Sequence, residues 1–431
     1  MARMLVLADD LTGAADCGVA CAAHGLHTIV ILGNAEGEVN AEALSVDGDT
    51  RRLPPDQAAR ETARLLQKHL CDEEALLYKK LDSTLRGNVG VELSVTLQAR
   101  RTLARAHERI VAVLAPAFPA TGRTTVNGLQ LVHGRSMEAS GFGQHERSPA
   151  RSDIAGLLRE AHLRPALLGL ELIRGDSGIL RDAMITRSQD ADVLVCDAET
   201  GEDLRSIAEA SMVLGRGTVW AGSAGLAWHL PPAAALARAA APLQGQPLAK
   251  GPALFVVGSG SAVSCQQAEV LASRSDTIVI RISPEVLMAA EQSPQWHAYS
   301  LELEQALNAG RDVAVLPDPG LQLHNSMGAL LTAALAAMVR PFADRVGALV
   351  ATGGETARAV FEAWGVSRLR LIGEVEAGLP FSITSGWGRE LPVLTKAGGF
   401  GTPETLLHCR QFLRQLERGE AAQPGYSKGP Q

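Results

Sequence analysis

Two α/β domains, each a mostly parallel sheet flanked by helices, are predicted for this 431-residue chain by three observations. Short apolar runs that end in Gly or Asp and lead into helix-like stretches recur along its length, the pattern of strands crossing over through helices. Gly is frequent (43 residues) and aromatic residues are scarce (4%), a mixture with abundant Ala, Val and Leu that suits closely packed layers. A stretch of Pro, Ala, Gly and Gln between Pro231 and Pro252 breaks the pattern, and a chain long enough for two or three cores divides there.

The runs of the first half are Met4–Ala8, Thr28–Leu32, Ala75–Lys79, Ile110–Ala115, Val193–Cys196 and Thr218–Ala221. Those of the second half are Ala253–Val257, Thr277–Ile280, Asp312–Leu316, Ala348–Ala351 and Leu369–Ile372. They set a first domain over residues 1–235, a linker over 236–249 and a second domain over 250–418. Residues 419–431, rich in Gly and Pro, are expected to be a disordered tail, and Ser136–Ser152 reads as a long loop of the kind that covers a binding site.

A formal charge of −7, with no basic block longer than Arg51-Arg52 or Arg100-Arg101, argues against nucleic acid as the main partner. The apolar runs fall far short of the ~18 residues of a membrane span, and the one at the N-terminus is too short for a signal-peptide core. A cytoplasmic protein without a membrane partner is expected. The six cysteines form no CxxC pair, so neither a disulfide framework nor a zinc site is read from them. The absence of HExxH, HxH and GxSxG sequences removes metalloprotease and serine-hydrolase readings.

Chemistry concentrates at the strand ends. After Met4–Ala8 come Asp9 and Asp10, with Thr12 placed to open a helix. Adjacent carboxylates there can orient a hydroxyl, accept its proton or hold Mg²⁺, while either one alone can simply cap the helix. After the third run come Lys79, Lys80, Asp82, Ser83, Thr84 and Arg86, a density of donors suited to a carboxylate or a phosphate. Arg51 can add a guanidinium to the same anion or form a surface ion pair. Ala115–Gly128 combines prolines that stiffen a turn with a polar cluster of Arg123, Thr124, Thr125 and Asn127.

In the second half, three glycine loops follow three presumed strands: Gly258–Ser261, Thr352–Thr356 and Lys396–Gly401. Loops of this kind offer backbone N–H groups to phosphate. None matches a P-loop, and Gly260 lacks the rest of a GxGxxG fingerprint, which disfavours a P-loop enzyme and a dinucleotide-dependent dehydrogenase.

Together these segments resemble the four-carbon acid sugar kinase family. The motifs are ADDLTGA within Leu7–Asp16, KKLDSTLRG at Lys79–Gly87, APAFPATGRTTVNG at Ala115–Gly128 and AGSAGLA at Ala221–Ala227. They continue with GSGS at Gly258–Ser261, ATGGETA at Ala351–Ala357 and KAGGFG at Lys396–Gly401. The resemblance spans nearly the whole chain in the family's order.

It implies an ATP-dependent kinase that phosphorylates the 4-hydroxyl of a four-carbon sugar acid in a cleft between a sugar-acid domain and a nucleotide domain. D-threonate is the favoured substrate, with D-erythronate and 3-oxo-tetronate as alternatives and a non-catalytic sugar-acid sensor as the reading from another class. The resemblance assigns Arg51, Lys80, Asp82, Ser83, Thr84 and Arg86 to the sugar acid, and Asp9 or Asp10 to the hydroxyl proton. It assigns Ser259, Gly353, Gly354, Glu355, Thr356, Lys396, Gly398, Gly399, Phe400 and Gly401 to ATP. Lys396 is expected to act as a point charge, and Mg²⁺ to travel with the nucleotide without a protein cage.

Overall fold

The run Met4–Ala8 forms strand β1, buried along its whole length, as a continuous apolar segment must be when both faces of a parallel sheet are covered. In the computed structural model, residues 2–33, 35–72, 75–104, 108–140, 151–238, 248–258, 260–318 and 328–418 are described. Ser259, most of the linker, part of the loop after Ser136 and the tail lie outside them. The chain divides into two units between Ala241 and Pro242.

In the first unit β1 is joined by β2 (Thr28–Leu32), β3 (Ala43–Asp47), β4 (Leu76–Lys80) and β5 (Ala112–Ala115). There follow β6 (Arg123–Val126), β7 (Leu129–Val132), β8 (Arg135–Ser136), β9 (Pro165–Leu168), β10 (Val193–Cys196) and β11 (Val219–Gly222). The order β2-β3-β1-β4-β11-β5-β10-β9 is parallel throughout. From β1 the chain runs outward to β2 and back to β3, then crosses to β4 on the other side of β1. The C-terminal ends of β1 and β4 therefore flank a topological switch point, where open α/β sheets bind ligands.

Helix α1 (Leu11–Ala23) packs with nearly every side chain buried, which its Gly, Ala and Cys residues permit by keeping it thin. Its N-cap is Asp10, whose Oδ1 accepts the Gly13 N–H at 2.8 Å, so the helix opens before the expected Thr12. Capping and a place in the polar cluster are thus combined in one carboxylate.

The segment from Arg123 to Ser136 departs from the expected stiffened turn and loop. It forms the small antiparallel sheet β6-β7-β8, turned by Asn127-Gly128 and His133-Gly134, all four with positive φ. Two-residue turns with both φ positive match the twist of a hairpin, and Asn-Gly is their strongest sequence signal.

The second unit contains β12 (Ala253–Val257), β13 (Ile278–Ile282), β14 (Val313–Pro317), β15 (Ala348–Thr352), β16 (Arg368–Glu374), β17 (Pro380–Thr384) and β18 (Pro392–Lys396). Their order is β13-β14-β12-β15-β18-β17-β16. The first five are parallel, but β17 runs antiparallel to both neighbours, so this sheet is mixed. The connections 375–379 and 385–391 are too short for the dozen or so residues that a parallel crossover requires. Each unit has its own apolar core. Among the described residues no helix is long and apolar enough to cross a membrane.

Successive residues of a strand face opposite sides of the sheet, and β4 uses this to separate its two lysines. Lys79 pairs with Glu92 of helix α2 (Val89–Leu103) at 2.6 Å, both side chains being fully buried. Lys80 faces α1, where a Cβ on Gly13 would lie 2.6 Å from its Nζ. Gly13 therefore makes room for that lysine.

A buried pair is far more sensitive to the loss of one partner than of both. Glu92→Leu or Lys79→Met alone should destabilise the first unit by about 3–5 kcal/mol. The double variant should recover most of that loss in urea unfolding, and equal or additive losses would contradict the pairing.

Candidate active site

Three loops meet at the C-terminal ends of the adjacent strands β3, β1 and β4. Arg51, from the loop after β3, reaches across to the end of β1. Its Nε and Nη2 donate to the two oxygens of Asp9 at 2.7 and 2.9 Å, and its Nη1 donates to Asp10 Oδ2 at 2.7 Å. Nη2 also lies 3.7 Å from Asp82 of the loop after β4. One planar guanidinium thus spans carboxylates from two strand ends, a geometry that an ammonium cannot reproduce.

The backbone is shaped to permit this. Thr50 and Arg51 donate their N–H groups to the Asp9 carbonyl, and Asn88 Nδ2 donates to the carbonyls of Thr50 and Leu53 at 3.1 and 3.0 Å. Gly87, with φ +85°, lies against Arg51, where a Cβ would sit 3.2 Å from Arg51 Cγ.

Asp82 is the second hub. Arg86 donates to it through Nε at 2.7 Å and Nη2 at 2.9 Å, and the Thr84 hydroxyl donates to the same carboxylate. Burial alone would raise the Asp82 pKa, yet Arg86 and Arg51 hold it well below the usual carboxylate range. Burial of Asp9 is likewise outweighed, chiefly by Arg51 and then Lys80, so Asp9 is lowered. Burial would lower Lys80, but Asp9, Cys17 and Asp10 raise it, so the ammonium stays charged. Lys80 Nζ has no hydrogen-bond partner among the described residues.

Of the residues expected to hold a sugar acid, Arg51, Lys80, Asp82, Thr84 and Arg86 join Asp9 and Asp10 in this network. Ser83 belongs to the same loop, which Gln130 fixes by donating to the Ser83 carbonyl at 2.7 Å. Gln130 was not singled out from the sequence. Its position in a hairpin, marked by the Asn127-Gly128 turn, was the available signal.

In the second unit the three glycine loops follow β12, β15 and β18, which are neighbours, and the switch point between β12 and β15 repeats that of the first unit. Gly353 donates its N–H to the Lys396 carbonyl at 2.7 Å, and the Ser261 and Ser264 hydroxyls donate to the Gly398 carbonyl at 2.7 Å. Gln267 Nε2 donates to the Phe400 carbonyl at 3.0 Å, so the loops form one connected surface.

Helix Gly354–Trp364 has Gly353 as its N-cap and no side-chain cap, a helix start of the kind whose first-turn N–H groups suit an anion. Glu355 in that turn is exposed, whereas Thr356 is buried where a Cβ on Gly258 would meet its hydroxyl. A Cβ on Gly399 would meet open space, while Gly401, at φ +89°, lies against Thr405 and Gln267. Phe400 packs its ring on Gly378.

Lys396 is buried. Its Nζ donates to the carbonyls of Ala397 (2.9 Å), Gly398 (3.3 Å) and Phe400 (3.0 Å), inside its own loop. Burial draws its pKa down to about 8. Among the described residues no group of three His, Cys, Asp or Glu side chains is arranged to hold a metal ion. The Asp9, Asp10 and Asp82 carboxylates each lie against a guanidinium, so this donor set does not form a cage for Mg²⁺.

Two family models divide the chain as the units do. A sugar-binding N-terminal domain matches residues 4–230, and a nucleotide-binding C-terminal domain matches residues 254–406. A D-threonate kinase of Cupriavidus necator is 37% identical over 95% of this chain and 98% of its own length. A 3-oxo-tetronate kinase of the same organism is 27% identical over 95% and 96%. The crystal structure of a Salmonella typhimurium protein described as a putative tRNA synthase shares the fold, with a TM-score of 0.77 at 22% identity over 95% of this chain and 99% of that one. With both halves matched and full-length relatives of one chemistry, the chain is a kinase that belongs to the four-carbon acid sugar kinase family.

Proposed function

We propose that this kinase transfers the γ-phosphoryl group of ATP to the 4-hydroxyl of D-threonate. The observation that carries the sugar-acid reading is the cluster at the ends of β1, β3 and β4, in which the carboxyl groups of Asp9, Asp10 and Asp82 are held by Arg51 and Arg86 beside charged Lys80. Such a site offers acceptors to hydroxyls and cations to a carboxylate. The preference for D-threonate rests on the relatives: two proteins of one organism differ in substrate, and the chain is 37% identical to the D-threonate kinase and 27% identical to the 3-oxo-tetronate kinase.

In this reading Asp10 accepts the hydroxyl proton. Asp9 has both oxygens on Arg51 and a side chain only 4% exposed, whereas Asp10 is 23% exposed and shares Arg51 through one oxygen. Lys80, Ser83, Thr84 and Arg86 grip the sugar acid, and Asp82 keeps Arg86 in place. Phosphoryl transfer needs little covalent help, so positioning and charge neutralisation carry the catalysis. The N–H groups of Gly354–Thr356 and of the Gly398–Gly401 loop hold the phosphates of ATP, and Glu355 accepts from its hydroxyls. Lys396 shapes that surface from within: by occupying the loop's carbonyls it leaves N–H groups to face the nucleotide. Mg²⁺ accompanies the phosphates and supplies charge neutralisation.

A coupled ADP-release assay over D-threonate, D-erythronate and 3-oxo-tetronate should give the highest kcat/KM with D-threonate. Turnover of none of them would overturn the reading. Asp10→Asn should lower kcat by roughly 10²–10⁴-fold with both KM values little changed, and a kcat near wild type would remove Asp10 from proton transfer.

Arg86→Ala should raise KM for the sugar acid far more than for ATP, and Gly354→Val, which blocks close approach to the backbone, should do the converse. Equal effects on both substrates would contradict the division. Lys396 is charged below about pH 8 and loses its proton above it. KM for ATP should therefore rise as pH increases through that value, and Lys396→Met should start high and lack this rise.

A further inference from the structure

The hairpin β6-β7 has no place in the function described so far, yet its register brings one amide onto the sugar-acid loop. The two-residue turn Asn127-Gly128 sets Thr125 opposite Gln130, and directly opposed residues of an antiparallel pair share a face. The Thr125 hydroxyl donates to Gln130 Oε1 at 2.7 Å, which aims Nε2 at the carbonyls of Ser83 (2.7 Å) and Pro116 (3.3 Å). Gln130 is fully buried. The hairpin is itself anchored beyond β10: the N–H groups of Asn127 and Gly128 donate to the Asp197 carboxylate at 2.7 and 2.9 Å. Thr125 exchanges backbone hydrogen bonds with Ala198 at 2.8 and 3.0 Å.

Ser83 and Pro116 belong to the loops after β4 and β5, which are not neighbours, because β11 lies between them. The Gln130 amide therefore ties two loops together across the end of a third strand. That strand end is part of the same joint: the Tyr78 hydroxyl donates to the Ser223 carbonyl, and Ser223 Oγ donates to the Ala117 carbonyl at 2.6 Å. The loop after β4 needs such support. Leu85 is buried at φ +56°, a left-handed conformation that a leucine keeps only where its surroundings impose it. On either side of it stand Thr84 and Arg86, the two residues that donate to Asp82. A shift at Ser83 is thus passed directly to the groups that line the site.

We infer that Gln130 is a positioning residue for sugar-acid binding, its amide holding the Ser83 loop in the strained form that presents Thr84 and Arg86. The inference rests on the sugar-acid reading of this site and deepens it. The position calls for an amide, because one side-chain end must accept one hydrogen bond while donating to two carbonyls. An ionised glutamate of the same shape only accepts, and it would set a carboxylate against two carbonyl oxygens. Once protonated, it can donate one of those bonds again. Burial holds such a carboxyl above the ordinary glutamate range, so the bond returns as pH falls through that raised value.

The test measures KM for D-threonate, or for whichever four-carbon acid the wild type turns over fastest, and KM for ATP across pH. The proteins are the full-length wild type, Gln130→Glu and Gln130→Met. Relative to wild type, Gln130→Glu should raise the sugar-acid KM on the order of 10- to 100-fold at alkaline pH and recover part of the loss as pH falls. Gln130→Met should raise it at every pH without that recovery. KM for ATP should stay within about twofold, since the nucleotide loops are in the other unit.

A sugar-acid KM near wild type in both variants, or an equal rise in both KM values, would overturn the inference. So would a melting temperature of Gln130→Glu that depends on pH while its sugar-acid KM does not, because Gln130 would then support the hairpin alone. If neither variant folds, Thr125→Val decides: it keeps Gln130, removes the bond that orients the amide, and should raise the sugar-acid KM but not that for ATP. Failure of the wild-type chain to phosphorylate any four-carbon acid would sink the sugar-acid reading itself, whereas an active wild type with indifferent variants sinks only this inference.

Discussion

Arg51 holds together what parallel-sheet topology only brings near. The switch point delivers Asp9 and Asp10 from one strand and Asp82 from the next, and three carboxylates converging on one crevice repel one another and resist burial. A single guanidinium on Asp9 and Asp10, 3.7 Å from Asp82, offsets both costs. Much else follows from that arrangement. Gly87 lies where a side chain would meet Arg51, Asn88 clamps the backbone before and after it, and Asp82 is left with the geometry to orient Arg86. Because the charges are paired within the protein, the crevice is organised without a ligand, and a ligand bound there would cost the protein little further freedom.

The two units solve a related problem twice. Each opens with four strands in the same spatial order, β2-β3-β1-β4 in one and β13-β14-β12-β15 in the other, so each places a crevice beside its first strand. The chemistry then diverges through the loops. In the first unit the strand ends carry acidic and basic side chains, which suit hydroxyls and a carboxylate. In the second they carry glycines and a helix end without a side-chain cap, where backbone N–H groups suit phosphates. Lys396 shows the difference clearly: it is a cation among the glycine loops, yet it is turned inward onto carbonyls.

Much of this was legible in the sequence because strand ends in α/β proteins are marked by a change from apolar to polar residues. ADDLTGA and KKLDSTLRG could be read as a site from residue types alone, since no turn needs so many ionisable groups. What stayed hidden was direction and partnership. Lys79 and Lys80 look equivalent in sequence, but β4 sends one to Glu92 and the other toward Asp9 and Asp10. The cap of α1 falls on Asp10 and not on Thr12, because the carboxylate held by Arg51 is also placed to meet the Gly13 N–H. The hairpin after Arg123 was obscured by prolines that drew attention to the turn, although Asn127-Gly128 carried the stronger signal. The antiparallel β17 depended on connection lengths that become visible only once β16 and β18 are both placed.

The central claim is that Arg51 keeps Asp9 and Asp82 ionised despite their burial. Carboxyl-carbon NMR titration of Asp9 and Asp82, in the wild-type chain and in Arg51→Met, tests it most directly. The folded pKa values of both are lowered, so the wild-type signals should stay those of ionised carboxylates as the pH falls through the ordinary Asp range, changing only below it. In Arg51→Met the Asp9 signal should titrate above that range, because burial then acts with much less opposition, while Asp82 shifts less because Arg86 remains. An Asp9 that titrates at the same pH in both proteins would contradict the account.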